Sequence, residues 1–268
     1  MSPLSKDAQA FQGITVQELV RRCQEEPALQ QRLVVLLAEP QRRRMTYEEF
    51  LAWADEDTLA EWVDGEVVMY SPASSRHQKI VGFLSAVIGM YVRQHELGVT
   101  MLAPFQMKLP GSGREPDLIF VAAQHVDRLR DTYLDGPADL AIEVLSPESV
   151  SRDRGDKFYE YETGGVREYW LLDPERRWAE FYRLGEDTLY QVVFSGREGV
   201  YHSEVLSGFW LRVEWLWQEP LPSQVQVVAE ISGLPEAARR LIEEMLVTGE
   251  MPGWMAEVLA TGAEGGNE

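Results

Sequence analysis

A charged cluster and a proline, Arg114-Glu115-Pro116-Asp117, run straight into the apolar stretch Leu118-Ile119-Phe120-Val121, which reads as a strand with an aspartate at its mouth. A second strand, over 139–145, carries Glu143 inside a run of apolar residues and stops at Ser146-Pro147. Burying a carboxylate is costly unless a cation or a set of hydrogen bonds compensates it, so a lone glutamate in mid-strand marks a site. The next segment, 149–163, has helical character and sets Asp153, Lys157 and Tyr161 one turn apart on one face before it stops at Gly164-Gly165. A third apolar strand, over 168–172, closes at Asp173-Pro174. Carboxylates delivered from adjacent strand ends suit a hard divalent cation, and magnesium keeps several waters and needs few protein ligands. Each residue also has a plainer reading: a Pro-Asp turn, a helical ion pair between Asp153 and Lys157, a packing role for Tyr161. The combination favours a site for such a cation.

Pro116-Asp117, Glu143 with Ser146-Pro147 after it, Asp153, Lys157 and the run Gly165-Val166-Arg167-Glu168-Tyr169-Trp170 together resemble the Uma2 family, which is placed among the PD-(D/E)XK nuclease-like proteins. The resemblance covers residues 45–216. It implies an α/β, restriction endonuclease-like fold, with a mixed central β-sheet flanked by helices, and a metal-dependent endonuclease that hydrolyses DNA. It further implies Mg2+, or Mn2+, held by Asp117, Glu143, the backbone carbonyl of Val144 and Glu61. The nuclease pattern places a lysine two residues after the strand glutamate, on the same face, and here that position is Leu145. The family's helical lysine corresponds to Lys157, which takes over the positive role beside Asp117 and Glu143. Glu61 matches an acidic residue supplied by the N-terminal part of the fold; otherwise it is a plain hairpin residue. His77, a helix cap or surface residue on position alone, acquires from the resemblance a place near the phosphate, with Asp153 and Tyr161 supporting. DNA is the expected partner. Two other readings stay open: a catalytically silent nuclease-fold protein that binds or assembles, motivated by Leu145, and a metal-dependent hydrolase of another substrate.

The elements that must position these residues follow from patterning. With 268 residues, 45% of them hydrophobic, the chain can bury a full core. Three parts are expected: a helical N-terminal extension over 1–44, the nuclease-like domain over 45–217, and a helical C-terminal extension with a disordered tail over 218–268. In the first, Thr15 and Glu18 form a capping box and 27–38 carries leucines at helical spacing. Arg42-Arg43-Arg44 reads as a solvated linker. Thr46 and Glu49 open another helix, Asp64-Gly65 joins two strand-like runs over 59–70 before Ser71-Pro72, and a long helix occupies 77–95. A single strand is expected over 99–109, a turn at 111–113, a short polar helix over 124–130, a hairpin over 178–194, and helices over 235–247 and 252–260.

Forty-four acidic against 25 basic side chains give a net charge of −19, which opposes nonspecific attraction to a polyanion but says little about one cleft. One cysteine, Cys23, permits no intrachain disulfide, and residues 1–7 show no secretion signal, so a cytoplasmic protein is expected. The longest apolar run, 80–92, falls short of the ~20 residues a membrane span needs. The apolar flanking helices suit a homodimer. The four histidines show no zinc spacing.

Overall fold

A computed structural model of the chain describes residues 45–250, apart from 56, 57, 70–72, 147 and 148. The expected helices within 1–44, the arginine run, the Ser71-Pro72 stop, Pro147, and the helix and tail beyond 250 lie outside the described residues.

Thr46 caps the first helix, α1 (Tyr47–Trp53): its hydroxyl accepts from the Glu49 N–H at 3.1 Å while the Glu49 carboxylate accepts from the Thr46 N–H at 2.8 Å. Strands β1 (Ala60–Val63) and β2 (Glu66–Met69) form the expected hairpin. Asp64 and Gly65 both have positive φ, +48° and +86°, the turn whose twist matches that of paired strands. The long helix α2 (Ser75–Gln94) is capped by Ser74 and buries Ile80, Leu84, Val87, Ile88 and Tyr91 as its stripe predicts.

The single strand expected over 99–109 is two, β3 (Gly98–Leu102) and β4 (Gln106–Leu109), interrupted at Pro104, which has no N–H to give a ladder. The expected turn shrinks to Pro110-Gly111, and its remainder joins β5 (Ser112–Arg114). After β6 (Leu118–Ala122) the predicted polar helix is a 3-10 turn, Ala123–Arg128, followed by β7 (Tyr133–Asp135) and β8 (Leu140–Val144). The helix expected over 149–163 breaks at Arg154-Gly155 into α3 (Val150–Asp153) and α4 (Asp156–Gly164). Strands β9 (Glu168–Asp173), β10 (Trp178–Leu184) and β11 (Tyr190–Gly196) run back and forth. A small ribbon of β12 (Val200–His202) and β13 (Trp210–Arg212) precedes α5 (Gln224–Ile231), which the patterning does not mark, and α6 (Glu236–Thr248), which it does.

The larger sheet has the order β11-β10-β9-β8-β6-β3 and is mixed, since β8 and β9 are parallel and its other pairs antiparallel. The crossover between those parallel strands contains α3 and α4. The smaller sheet has the order β2-β1-β5-β4-β7. The chain leaves the large sheet between β3 and β4 and returns to it between β5 and β6, at Glu115-Pro116-Asp117. Alternation then divides the core. Leu118, Phe120, Leu140, Ile142, Val144, Trp170 and Leu172 meet α2 on one face. Ile119, Val121, Ala141, Leu145, Tyr169 and Leu171 meet Met107, Leu109 and Tyr161 on the other. Helix α5 adds Val227, Val228 and Ile231 to the first cluster, so that part of the expected C-terminal extension packs with the core of the sheet. Among the described residues no helix is long and apolar enough to cross a membrane.

Candidate active site

Leu118 pairs with Ile142 across β6 and β8, so the residue before the first, Asp117, stands opposite the residue after the second, Glu143. The Val144 N–H fixes the juxtaposition by donating to Asp117 Oδ2 at 2.7 Å. His77, in the first turn of α2, lies with Nε2 3.0 Å from the same oxygen. Asp117 is thus held from two sides while its Oδ1 accepts no hydrogen bond among the described residues.

Glu143 points to the face of Ala141 and Leu145, where α4 covers the sheet. It is 4% exposed, and its Oε1 accepts from Lys157 Nζ and from the Tyr161 hydroxyl, both at 2.8 Å. The second oxygen, Oε2, takes no hydrogen bond among the described residues. The lysine ammonium also lies 3.0 Å from Glu61 and 3.5 Å from Asp153. Asp153 ends α3 and Lys157 stands in α4, so their contact bridges a helix break instead of decorating one continuous helix. Leu145 is buried in the second core cluster. Lys157 reaches Glu143 from α4.

Glu61, on β1, uses both oxygens. Oε1 accepts from the Glu115 N–H at 3.1 Å and meets Lys157, while Oε2 accepts from Arg114 at 3.0 Å. Arg114 in turn makes a two-pronged pair with Glu160 of α4, at 2.7 and 2.5 Å. This chain of ions ties the small sheet, the large sheet and α4 together.

The charges are unequal. One ammonium faces three carboxylates, and burial of all four raises the stakes. Burial pushes the Glu143 carboxyl well above the usual range, and Asp153, Asp117 and Glu61 push it further against the pull of Lys157. For Glu61 burial acts the same way, yet Lys157 and Arg114 outweigh it and bring the carboxyl down to about 2. Burial works against the Lys157 charge, but Glu143, Glu61 and Asp153 more than compensate and hold it well above the ordinary lysine range. Burial and Glu143 keep Tyr161 a neutral phenol.

Glu61, His77, Asp117, Glu143, Val144, Asp153 and Lys157 all line one cleft of about 1140 Å³, and Tyr161 reaches Glu143 beside it. The three acids do not converge on a point: among the described residues no group of three or more His, Cys, Asp or Glu side chains is placed to hold an ion. Sequence reasoning gives no role to Arg114, Glu115 or Arg152. Arg114 is 2% exposed, Glu115 is buried on the cleft wall, and Arg152 lines the cleft 4.0 Å from Glu61. The signal for the first two is present in the charged cluster before Pro116, but their partners lie on β1 and α4 and cannot be read locally.

Residues 47–214 match the model of the Uma2 family, described as "Putative restriction endonuclease". Among solved structures the chain is similar to that of "a putative nuclease belonging to DUF820 from Anabaena variabilis ATCC 29413", with 18% identity, a TM-score of 0.56, and coverage of 65% of this chain and 97% of that one. At that identity the likeness concerns the fold, which is the nuclease-like α/β arrangement expected from the motifs. No curated protein matches.

Proposed function

The chain belongs to the Uma2 family, and from that membership we propose that it is a metal-dependent endonuclease that hydrolyses DNA phosphodiester bonds. The observation carrying this reading is the meeting of Asp117, Glu143 and Lys157 in one cleft, with Lys157 2.8 Å from Glu143 and Asp117 bonded to the N–H of the residue after it.

The residues suit a hard divalent cation. Asp117 and Glu143 each keep an oxygen without a protein hydrogen bond among the described residues, the Val144 carbonyl belongs to the same strand end, and water completes such a shell. Magnesium or manganese held there would neutralise charge on the scissile phosphate and acidify a bound water. The chain's own groups divide the remaining work. His77 and the Val144 N–H fix one oxygen of Asp117 and so aim the other. Tyr161 donates to Glu143 and fixes its carboxylate. Lys157, kept protonated, is unsuited to act as a base and instead offers positive charge to the phosphate oxygens. Glu61, with both oxygens engaged, serves as the counter-ion that positions Lys157 and Arg114 and not as a metal ligand.

Plasmid and single-stranded DNA incubated with magnesium or manganese test the reading, using wild type, Asp117→Asn and Lys157→Met, with circular dichroism to establish that each variant folds. Both folded variants are expected to lose cleavage by at least ~100-fold, the scale of removing one preorganised electrostatic group. No cleavage by wild type, with no metal uptake by calorimetry, would overturn it. The silent binding module would then stand, a reading that Leu145, packed in the core at the strand-lysine position of the nuclease pattern, favours.

A further inference from the structure

Beside the cleft lies a second depression, of about 590 Å³, whose walls carry Arg154, Arg176, Arg177 and Arg197 against two carboxylates, Glu175 and Glu180. In a chain with 44 acidic side chains and 25 basic ones, a cluster of four guanidinium groups stands out. Its position follows from topology. Strands β8 and β9 are parallel, so their C-terminal ends open on the same side. The first end delivers Glu143 and the second delivers the turn from Asp173 to Trp178, which carries Arg176 and Arg177. Ligands of α/β sheets sit outside such ends. Glu175 belongs to the wall of both depressions, so they adjoin.

The guanidinium groups are built into place, and those of Arg176, Arg177 and Arg197 belong to exposed residues. The turn is fixed by the Arg176 N–H donating to Asp173 Oδ1 at 2.9 Å, while the Arg176 side chain, its Nε 3.7 Å from Asp173 Oδ2, stays 72% exposed. Arg177 has a φ of +50° and is exposed, and its side chain has no ion pair or hydrogen bond among the described residues. Arg197 crosses from the end of β11 to lie over the Trp178 ring, 6.0 Å from its centroid. Arg154 pairs with Glu180 and leaves a buried Nε without a partner among the described residues.

We infer that this arginine groove is the path of a nucleic-acid backbone entering the cleft, taking successive phosphates in a sequence-independent way. The inference rests on the nuclease reading of the cleft for its direction but not for its own chemistry. Arginine is the side chain suited to phosphate, through its planar fork. At physiological salt, charges are screened over about 8 Å, so a phosphate in the groove answers to its four arginines and to the neighbouring Asp173, Glu175 and Glu180, which they outnumber, more than to the excess of acids elsewhere. The groove therefore reconciles a polyanionic ligand with a strongly acidic protein.

The test is binding without cleavage. A fluorescein-labelled duplex of random sequence is titrated with the full chain in EDTA, by anisotropy, across ~50 to 200 mM NaCl. The proteins compared are wild type, Arg176→Ala/Arg177→Ala/Arg197→Ala, and Arg93→Ala, which removes an exposed arginine of α2 as a control. The triple variant is expected to bind at least about tenfold more weakly and to flatten the slope of log affinity against log salt by about 2 to 3, near 0.9 for each phosphate left without its arginine. Arg93→Ala should match wild type. Unchanged affinity and slope in the triple variant, or no duplex binding by wild type, would overturn the inference. Wild type that binds through the groove yet cleaves nothing with magnesium or manganese would sink the hydrolysis and leave the groove standing. Cleavage that survives in the triple variant with undiminished binding would do the reverse.

Discussion

Two glutamates that meet the same ammonium have opposite relations to stability. Glu61 titrates at about 2 in the fold against 4.5 when unfolded, so its contribution is complete above pH 4.5 and disappears as pH falls toward 2. That interval corresponds to on the order of 3 kcal/mol. Glu143 is shifted the other way: its carboxylate is disfavoured in the fold, so its ionisation weakens the fold as pH rises above the unfolded value. Glu61→Gln should therefore lower stability at pH 7 and flatten the acid limb of the stability curve. Glu143→Gln, whose oxygen can still accept from Lys157 and Tyr161, should raise stability at pH 7. Urea denaturation of both variants from pH 3 to 8 checks this, and equal signs at pH 7 would contradict the charge distribution described. On the proposed function, such a gain would be the usual trade between stability and activity.

At the scale of elements, strand β8 is legible in the sequence because one carboxylate interrupts an otherwise apolar run, and the α2 stripe because its period is helical. The division of 99–109 is not. Apolar residues alternate through both β3 and β4, and only Pro104 hints that the chain changes sheets there. The break between α3 and α4 is hidden for a related reason: Asp153 and Lys157 keep helical spacing across Gly155, and their contact survives the break at 3.5 Å. The candidate residues Asp117 and Glu143 stand out locally in the sequence and Lys157 through the resemblance, and the structure brings the three into one cleft. Arg114 cannot be picked out in this way, because its meaning depends on Glu61 and Glu160, which only the fold brings near. Helix α4 ends as its glycines predict, with Gly165 in the left-handed region at φ +90°. A Cβ there would meet nothing closer than Pro137 at 3.9 Å, so Gly165→Ala tests backbone strain alone. It should cost about 1–2 kcal/mol. Thermal melting reads the loss.

For the molecule as a whole, a net charge of −19 implies self-repulsion that the compact state must bear. Added salt screens it. The melting temperature should rise between ~20 and ~300 mM NaCl, by roughly 2–4 °C for each kcal/mol relieved. A fall would mean that the buried ion network, not the surface, dominates the response. The network itself joins parts that the chain order keeps apart. Glu61 and Arg114 come from the small sheet, Glu143 from the large one, Lys157 and Glu160 from α4. No single fragment of the polypeptide carries the reactive constellation. On the proposed function, a nascent or partly unravelled copy would be disarmed, since the constellation is complete only after the final docking of one layer on another.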